Sequence, residues 1–188
     1  MKVVLIGSGN VATHFARVLS KNKAKILQVF SPNLKNAKQL ATEINAEAID
    51  NLKHINQQAD LYIIAVKDDK IKSVIANLPI LKGLLVHTSG ATSIKVFKNV
   101  KDFGVLYPLQ TFSKTKEVDF KTLPLCIEAN TEINFKKLEK ISKSLSNQVH
   151  KVDSKQRKTV HLAAVFACNF TNHLYAISAD LLEKNGLN

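Results

Sequence analysis

The feature that most constrains this chain is a glycine-rich turn between a short apolar run and a helical pattern, close to the N-terminus. Residues 3–6 are continuously apolar, as expected for a strand buried in a parallel sheet. Gly7-Ser8-Gly9-Asn10-Val11-Ala12 follows directly, and apolar residues then recur at helical spacing as far as residue 21. A G-x-G-x-x-A sequence in this strand–turn–helix context predicts a Rossmann unit that binds a dinucleotide, whereas the same residues elsewhere would indicate only a tight turn.

Each small residue of the turn has a physical task. Gly7 permits the tight turn, Gly9 lets the backbone approach a pyrophosphate, and Ala12 lets the helix pack closely on the strand. The helix N-terminus offers unpaired N–H groups and the positive end of its dipole to the phosphates. The residues predicted to hold the pyrophosphate are Gly7, Ser8, Gly9, Asn10 and Val11.

The end of the second predicted strand, residues 26–30, bears on which dinucleotide binds. Enzymes that use NAD usually carry Asp or Glu about 20 residues after the glycines, where it binds the ribose 2′-hydroxyl. Here Ser31 occupies that place, followed by Asn33 and Lys35. A hydroxyl, an amide and a cation can hold a 2′-phosphate that a carboxylate would repel. The sequence therefore favours NADP and leaves NAD possible; Ser31 and Asn33 can also cap the next helix.

Apolar runs alternate with helical patterns up to residue 152. This alternation predicts an α/β fold with a doubly wound parallel sheet covered on both faces, and we assign residues 1–152 to a Rossmann dinucleotide-binding domain. The predicted strands are residues 3–6, 26–30, 46–49, 61–66, 84–87, 104–107, 125–129 and 148–152.

The pattern changes at Asp153-Ser154, either of which can cap a helix. Neither Pro nor Gly interrupts the chain from there to Lys184, and apolar residues recur at three- and four-residue steps. Such a helix is longer than a sheet can cover. We expect residues 153–188 to begin a second, helical domain whose remainder lies beyond Asn188, so that the chain is truncated.

Two further segments end predicted strands on the ligand-binding edge. Val66 and Lys67 close one strand, and His87 and Thr88 close the next. Ligands of open α/β sheets bind at the carboxyl ends of such strands, so we include all four residues in the cofactor site. Alternatively, these segments only hold their loops. Tyr107 and Gln110, at the following strand end, are candidates for lining a substrate pocket.

The composition excludes several function classes. The net charge is +12, from 27 basic and 15 acidic residues, but the cations are nearly all lysines spread over predicted helix faces. Without aromatic residues interleaved among them, this pattern favours a solvated surface over a nucleic-acid site. Two isolated cysteines, both expected to be buried, indicate a reducing cytoplasmic compartment. No apolar run approaches membrane-spanning length, and no cluster has metal-ligand spacing.

Five segments carry a resemblance to a known family: the glycine turn, Ile64–Lys67, His87–Gly90, residues 107–112, and the segment from His161 to His173. On these segments the chain resembles a bacterial family of oxidoreductases with an N-terminal Rossmann domain and a C-terminal helical domain of unknown function. That family is similar to pyrroline-carboxylate reductases and deazaflavin-dependent NADP reductases, and more remotely to 6-phosphogluconate dehydrogenases. The resemblance implies a homodimer formed through the helical domain.

The wider dehydrogenase superfamily often places a catalytic Lys early in the long helix, followed by an Asn. His161 stands about where that Lys would be, and Asn169 follows two turns later. A His can deliver a proton near neutral pH, so we name His161 and Asn169 as candidate catalytic residues. Alternatively, the two polar groups hydrogen-bond inside the helical domain.

Two functions remain open at the level of sequence. One is an NADP-dependent oxidoreductase that transfers hydride between nicotinamide and a small carbonyl or imine substrate. The other is a non-catalytic dinucleotide-binding or sensor protein. Nucleic-acid binding through the lysines is a third, less favoured reading.

Overall fold

A computed structural model describes residues 1–187, so Asn188, the last residue of the predicted helical segment, lies outside the described residues. Eight strands form one sheet in the order β3-β2-β1-β4-β5-β6-β7-β8. The strands are β1 Lys2–Ile6, β2 Lys25–Phe30, β3 Glu47–Ile49, β4 Leu61–Ile64, β5 Leu84–His87, β6 Phe103–Pro108, β7 Leu125–Ala129 and β8 Val149–Lys151. The helices are α1 Asn10–Lys21, α2 Leu34–Glu43, α3 Asp68–Ala76, α4 Glu132–Leu145, α5 Ser154–Ala164 and α6 Thr171–Lys184.

Strand β1 shows why the central strands are apolar throughout. Val3 and Leu5 face the core beneath α1, whereas Val4 and Ile6 face the core beneath α3. All four side chains are fully buried, as a strand covered on both faces requires. The predicted doubly wound α/β fold is therefore confirmed.

The sheet departs from the predicted parallel arrangement at one position. Strand β7 runs antiparallel to β6, although every other neighbouring pair is parallel. A parallel partner for β6 would need a crossover connection, usually a helix. The connecting segment 109–124 contains no helix, so the chain turns back and lies antiparallel.

The C-terminal helical segment begins where the sequence predicts. Asp153 accepts a hydrogen bond from the backbone of Gln156, and the Gln156 side chain accepts one from the backbone of Asp153, which completes a capping box. Residues Val165–Phe170 adopt π-helical geometry between α5 and α6. From residue 166 to residue 187 every residue is exposed. The apolar stripe of this helix is therefore exposed, because the helix runs past the sheet, as its predicted length implies.

The two cysteines differ in environment. Cys126 lies buried in β7, as predicted, but Cys168 lies exposed in the π-helical segment, so the expectation of a buried thiol is wrong there. Among residues 1–187, no helix is long and apolar enough to cross a membrane. The same part of the chain contains no group of three His, Cys, Asp or Glu residues able to hold a metal ion.

Candidate cofactor and active site

A cavity of about 890 Å³ opens at the carboxyl edge of the sheet, beside the turn between β1 and α1. It lies where the chain crosses from one half of the sheet to the other, since β1 lies between β2 and β4. Nine residues predicted from sequence as cofactor ligands line it: Gly7, Ser8, Gly9, Asn10, Val11, Ser31, Val66, Lys67 and Thr88. The tertiary structure thus brings together residues that are up to 81 positions apart.

The two glycines of the turn do different work. Gly7 has φ of +128°, and a Cβ there would lie 2.2 Å from the carbonyl oxygen of Ala65. Its N–H donates to the carbonyl of Phe30 at 2.8 Å, which ties the turn to the end of β2. Gly9 has an ordinary φ of −80°, and a Cβ there would meet nothing within 4 Å. Gly7 is therefore required by the fold, whereas Gly9 keeps open space beside the cavity.

The N-terminus of α1 is left free for an anion. Its N-cap, Gly9, has no side chain to accept a hydrogen bond from the first turn, and that turn contains no acidic residue. By contrast, α4 is capped by Thr131 and has Glu132 in its first turn. The N–H groups at the start of α1 therefore remain available to phosphate oxygens.

The structure places the three predicted ligands after β2, Ser31, Asn33 and Lys35, in different surroundings. Ser31 lines the cavity, and its hydroxyl accepts a hydrogen bond from the Asn33 N–H at 3.3 Å. The Asn33 side chain caps α2 by accepting from the Lys35 N–H at 3.0 Å, and neither Asn33 nor Lys35 lines the cavity. Asn36, in the first turn of α2, lines it instead.

Three lysines give the cavity its charge. Lys67, Lys70 and Lys114 line it, and no Asp or Glu is among its lining residues. Sequence reasoning identified Lys67 but missed the other two. Lys70 lies three residues after Lys67 on the helix that follows β4, a spacing that could have revealed it. Lys114 carries no local signal, because it reaches the cavity from a distant loop.

That loop is held by one stripe of α1. Asn10 and Arg17 donate to the carbonyls of Phe112 and Lys114, at 2.8 and 3.2 Å. Between them, His14 Nε2 hydrogen-bonds the carbonyl of Ser113 at 2.8 Å. Three consecutive carbonyls are thus bound by side chains spaced four and three residues apart. We call residues 112–114 the strap.

His87 does not line the cavity. It is fully buried at the end of β5, its ring stacks on Phe97, and its Nδ1 accepts a hydrogen bond from the Ser89 N–H at 3.2 Å. Burial, with a smaller contribution from the Arg157 charge, lowers its pKa from 6.5 to about 3. His87 is therefore neutral near pH 7 and supports the loop that places Thr88.

His161 lies near the end of α5 against the edge of the sheet. Its Nδ1 is 3.0 Å from the hydroxyl of Tyr107, and the two rings meet edge to face. Asn169 lies exposed in the π-helical segment, and its side chain forms no hydrogen bond within residues 1–187. The structure thus does not bring the two predicted catalytic side chains into contact with one another.

One turn before His161, a buried cation fixes the helix. Arg157 is 1% exposed, pairs with Glu128 of β7, and donates to the carbonyl of Thr92 at 2.6 Å. Ser154 donates to the same carboxylate at 2.8 Å. Sequence reasoning missed this network, although a lone arginine in an amphipathic helix is the kind of residue that forms one.

Two family descriptions cover parts of the chain. Residues 2–87 match NADP oxidoreductase, coenzyme F420-dependent, and residues 123–188 match a domain of unknown function (DUF2520). A pyrroline-5-carboxylate reductase of Aquifex aeolicus is 25% identical over 100 residues, which are 53% of this chain but only 38% of that enzyme.

Solved structures extend the likeness to the whole chain. A Bacteroides fragilis protein provisionally designated an NADP oxidoreductase is 43% identical with a TM-score of 0.91, covering 99% of this chain and 73% of that one. A Thermotoga maritima protein is 25% identical with a TM-score of 0.76, covering 99% and 71%. A Streptococcus pyogenes 1-pyrroline-5-carboxylate reductase, at 15% identity and a TM-score of 0.73, covers 100% and 72% and shares the fold. The chain belongs to the NAD(P)-dependent oxidoreductase family of the Bacteroides fragilis protein.

Proposed function

We propose that this protein is an NADP-dependent oxidoreductase that transfers hydride between the nicotinamide and a small carbonyl or imine compound. The observation that carries the proposal is the cavity, which combines an uncapped helix N-terminus with three lysines and no carboxylate. Such a lining suits a ligand with several phosphates. Imine reductases and pyrroline carboxylate reductases share the fold, which supports the substrate class.

The preference for NADP rests on the end of β2. Ser31 and Asn36 offer neutral polar groups there, and Lys70 supplies a cation to the same cavity. This lining favours a 2′-phosphate, because the Lys70 cation can interact with it. NAD has no 2′-phosphate and would lack that charge interaction. Asn33 and Lys35 remain predicted ligands, although the cavity reaches neither of them.

Fluorescence titration tests the preference directly. NADPH is expected to bind at least about tenfold more tightly than NADH, a difference of about 1.4 kcal/mol. Ser31→Asp is expected to weaken NADPH binding about tenfold, because a carboxylate would face the 2′-phosphate. The affinity for NADH is expected to stay nearly unchanged. Lys70→Ala is expected to weaken NADPH binding more than its control, Lys35→Ala. An equal loss of affinity in the two variants would support Lys35 as the ligand that the sequence predicts.

For the reaction, the cofactor supplies the hydride and the protein supplies position and a proton. In our proposal the substrate sits between the carboxyl edge of the sheet and the helix that carries His161. His161 gives the proton to the substrate oxygen or nitrogen, and Asn169 orients the substrate. Both roles remain predictions.

Replacing the histidine tests its role. His161→Ala is expected to lower kcat about 100-fold, as removal of a general acid does, with NADPH affinity nearly intact. His173→Ala, on the exposed face of α6, is the matched control. The reaction is screened by NADPH oxidation across small aldehydes, ketones, 2-oxo acids and cyclic imines. Unchanged turnover in His161→Ala would remove it from the mechanism.

The competing function is a non-catalytic dinucleotide sensor. Tight NADPH binding without oxidation of the cofactor by any member of that panel would favour it. Nucleic-acid binding would instead appear as an affinity that falls steeply with salt.

Three further features belong to the proposal. We place the division between a Rossmann domain and a helical domain at residues 152 and 153. The exposed apolar helix supports a homodimer formed through residues 153–187. Two free thiols support a reducing, cytoplasmic compartment.

A further inference from the structure

The pair formed by Tyr107 and His161 joins two elements that are far apart in sequence. Tyr107 belongs to β6, and His161 lies one turn after the buried Arg157 in α5. Their hydrogen bond spans 54 residues, with Tyr107 Oη and His161 Nδ1 3.0 Å apart. The contact fixes one ring nitrogen of a histidine whose other nitrogen remains available.

The strand end beside the pair leaves room for it. A Cβ on Gly90 would lie 2.7 Å from both Cγ and Nδ1 of His161 and 2.8 Å from Cζ of Tyr107. A methyl group at residue 90 would prevent the two rings from lying where they are observed. Gly90 therefore permits the pair to form, which gives the His87–Gly90 motif a function besides supporting the cofactor cavity.

The direction of the hydrogen bond follows from which groups have partners. Tyr107 is 8% exposed, and its hydroxyl has no other hydrogen-bond partner within residues 1–187. A buried hydroxyl hydrogen without an acceptor is costly, and Nδ1 is the acceptor beside it. Burial also raises the pKa of Tyr107 to about 12, so the phenol keeps its proton near neutral pH. The phenol donates, and Nδ1 accepts.

A neutral imidazole that accepts at Nδ1 carries its hydrogen on Nε2. His161 is only half-buried, and its Nε2 has no hydrogen-bond partner in the described part of the chain. We infer that Tyr107 is a positioning residue that holds neutral His161 in the Nε2–H tautomer, with Gly90 making room for the contact. The inference rests on the proposed function for its purpose, because it identifies Nε2–H as the group that donates to the substrate. As that proton leaves Nε2, Nδ1 takes the hydroxyl proton of Tyr107, so the ring stays neutral, and the phenolate then recovers a proton from water.

The tautomer is measured without any substrate. Long-range ¹H–¹⁵N correlation spectra of the full chain labelled with ¹⁵N-histidine distinguish a protonated from an unprotonated ring nitrogen. The His161 signals are assigned by their loss in His161→Gln. The expected result for the neutral ring is a protonated Nε2 and an unprotonated Nδ1.

Two variants test whether the Tyr107 hydroxyl and Gly90 are the cause of this tautomer preference. Tyr107→Phe removes only the hydroxyl, and the two tautomers are then expected to mix, with averaged nitrogen shifts. Gly90→Ala is expected to separate the rings and produce the same averaging. Tyr175→Phe, which removes a hydroxyl from the exposed face of α6, is the control and should leave the His161 signals unchanged. A protonated Nδ1 in the parent protein, or signals unchanged in Tyr107→Phe, would overturn the inference.

Kinetics separates failure of this inference from failure of the proposed function. With any compound that supports NADPH oxidation, Tyr107→Phe is expected to lower kcat about tenfold and to leave the Kd for NADPH within about twofold. If His161→Gln turns over normally while the parent shows the Nε2–H tautomer, the catalytic role fails and the structural inference stands. If the parent shows Nδ1–H, the inference fails whatever the kinetics.

Discussion

Gly7 and Gly9 are two residues apart, yet the structure requires the absence of a side chain only at Gly7. At Gly7 the backbone conformation and the nearby carbonyl of Ala65 exclude a Cβ. At Gly9 both the backbone and the space would accept one. The sequence predicted a role for both glycines, but only the structure shows that Gly7 is required for folding and leaves Gly9 to its proposed role in binding.

Alanine at each position separates the two requirements. Gly7→Ala is expected to lower the free energy of unfolding by about 2 kcal/mol or more, through strain at positive φ and the clash. Gly9→Ala is expected to change it by less than about 0.5 kcal/mol and to raise the Kd for NADPH about tenfold. Urea denaturation and fluorescence titration measure the two effects. A stable Gly7→Ala variant would contradict the structural role.

His87 is a buried histidine that the structure keeps neutral. Its pKa is lowered to about 3, so the folded protein binds no proton there between about pH 6.5 and pH 3, whereas the unfolded chain does. The unfolded state thus takes up more protons as the pH falls. The stabilisation is complete above about pH 6.5 and is lost as the pH is lowered towards 3.

The dependence on pH is therefore the test. In the parent protein, His87 is expected to make the free energy of unfolding fall by up to about 1.4 kcal/mol for each pH unit between pH 6 and pH 4. His87→Asn, which keeps an acceptor at the position of Nδ1 for the Ser89 N–H and carries no charge, is expected to show a flatter slope. Denaturant midpoints measured across this range provide the comparison, and parallel slopes in both proteins would refute the argument.

At the scale of elements, α1 both presents its N-terminus to the cavity and holds the strap. Its stripe of Asn10, His14 and Arg17 binds the strap carbonyls, and Arg17 also pairs with Glu43 of α2 at 2.9 Å. The amphipathic pattern of α1 could be predicted from sequence. The hydrogen-bond partners of its polar stripe could not, because the strap lies about 100 residues away in the chain. The charge of Lys114 reaches the cavity only through this tertiary contact.

Releasing the strap is expected to weaken cofactor binding without unfolding the protein. Arg17→Ala should cost less than about 1 kcal/mol of stability, since its ion pair is exposed, and raise the Kd for NADPH about threefold. Lys114→Ala should have the same effect on the Kd. The control is Lys143→Ala, which removes an exposed ion pair with Glu139 on α4. If the Kd is unchanged in both Lys114→Ala and Arg17→Ala, the strap does not contribute to binding.

At the scale of the whole molecule, the sheet is well buried but the C-terminal helix is not. Nine large apolar side chains between Leu162 and Leu187 are 48% to 71% exposed. A contiguous apolar surface of this kind marks an interaction site. The proposed homodimer would cover it.

A charge placed on that surface tests the homodimer. Leu174→Asp, at a side chain 63% exposed, is expected to shift the protein from dimer to monomer in sedimentation velocity. Ile133→Asp, at a side chain 69% exposed on α4, is the matched control and should leave the assembly unchanged. A parent protein that sediments as a monomer at micromolar concentration would contradict the proposal.

By itself, the sequence determined the features that depend on near neighbours. Gly7 and Gly9 identified the turn between β1 and α1 that lines the cavity, the apolar runs identified the buried strands, and Asp153 identified the start of α5. Each is a local pattern, because helix and strand periodicity, capping and backbone freedom act over a few residues.

Only the tertiary structure decided what depends on distant partners. It turned β7 antiparallel, brought Lys114 to the cavity, withdrew His87 from it, and paired Tyr107 with His161. These outcomes depend on where the sheet edge and the loops meet in space. Residues far apart in the chain carry no shared local signal, so their contacts become visible only once the fold has assembled them.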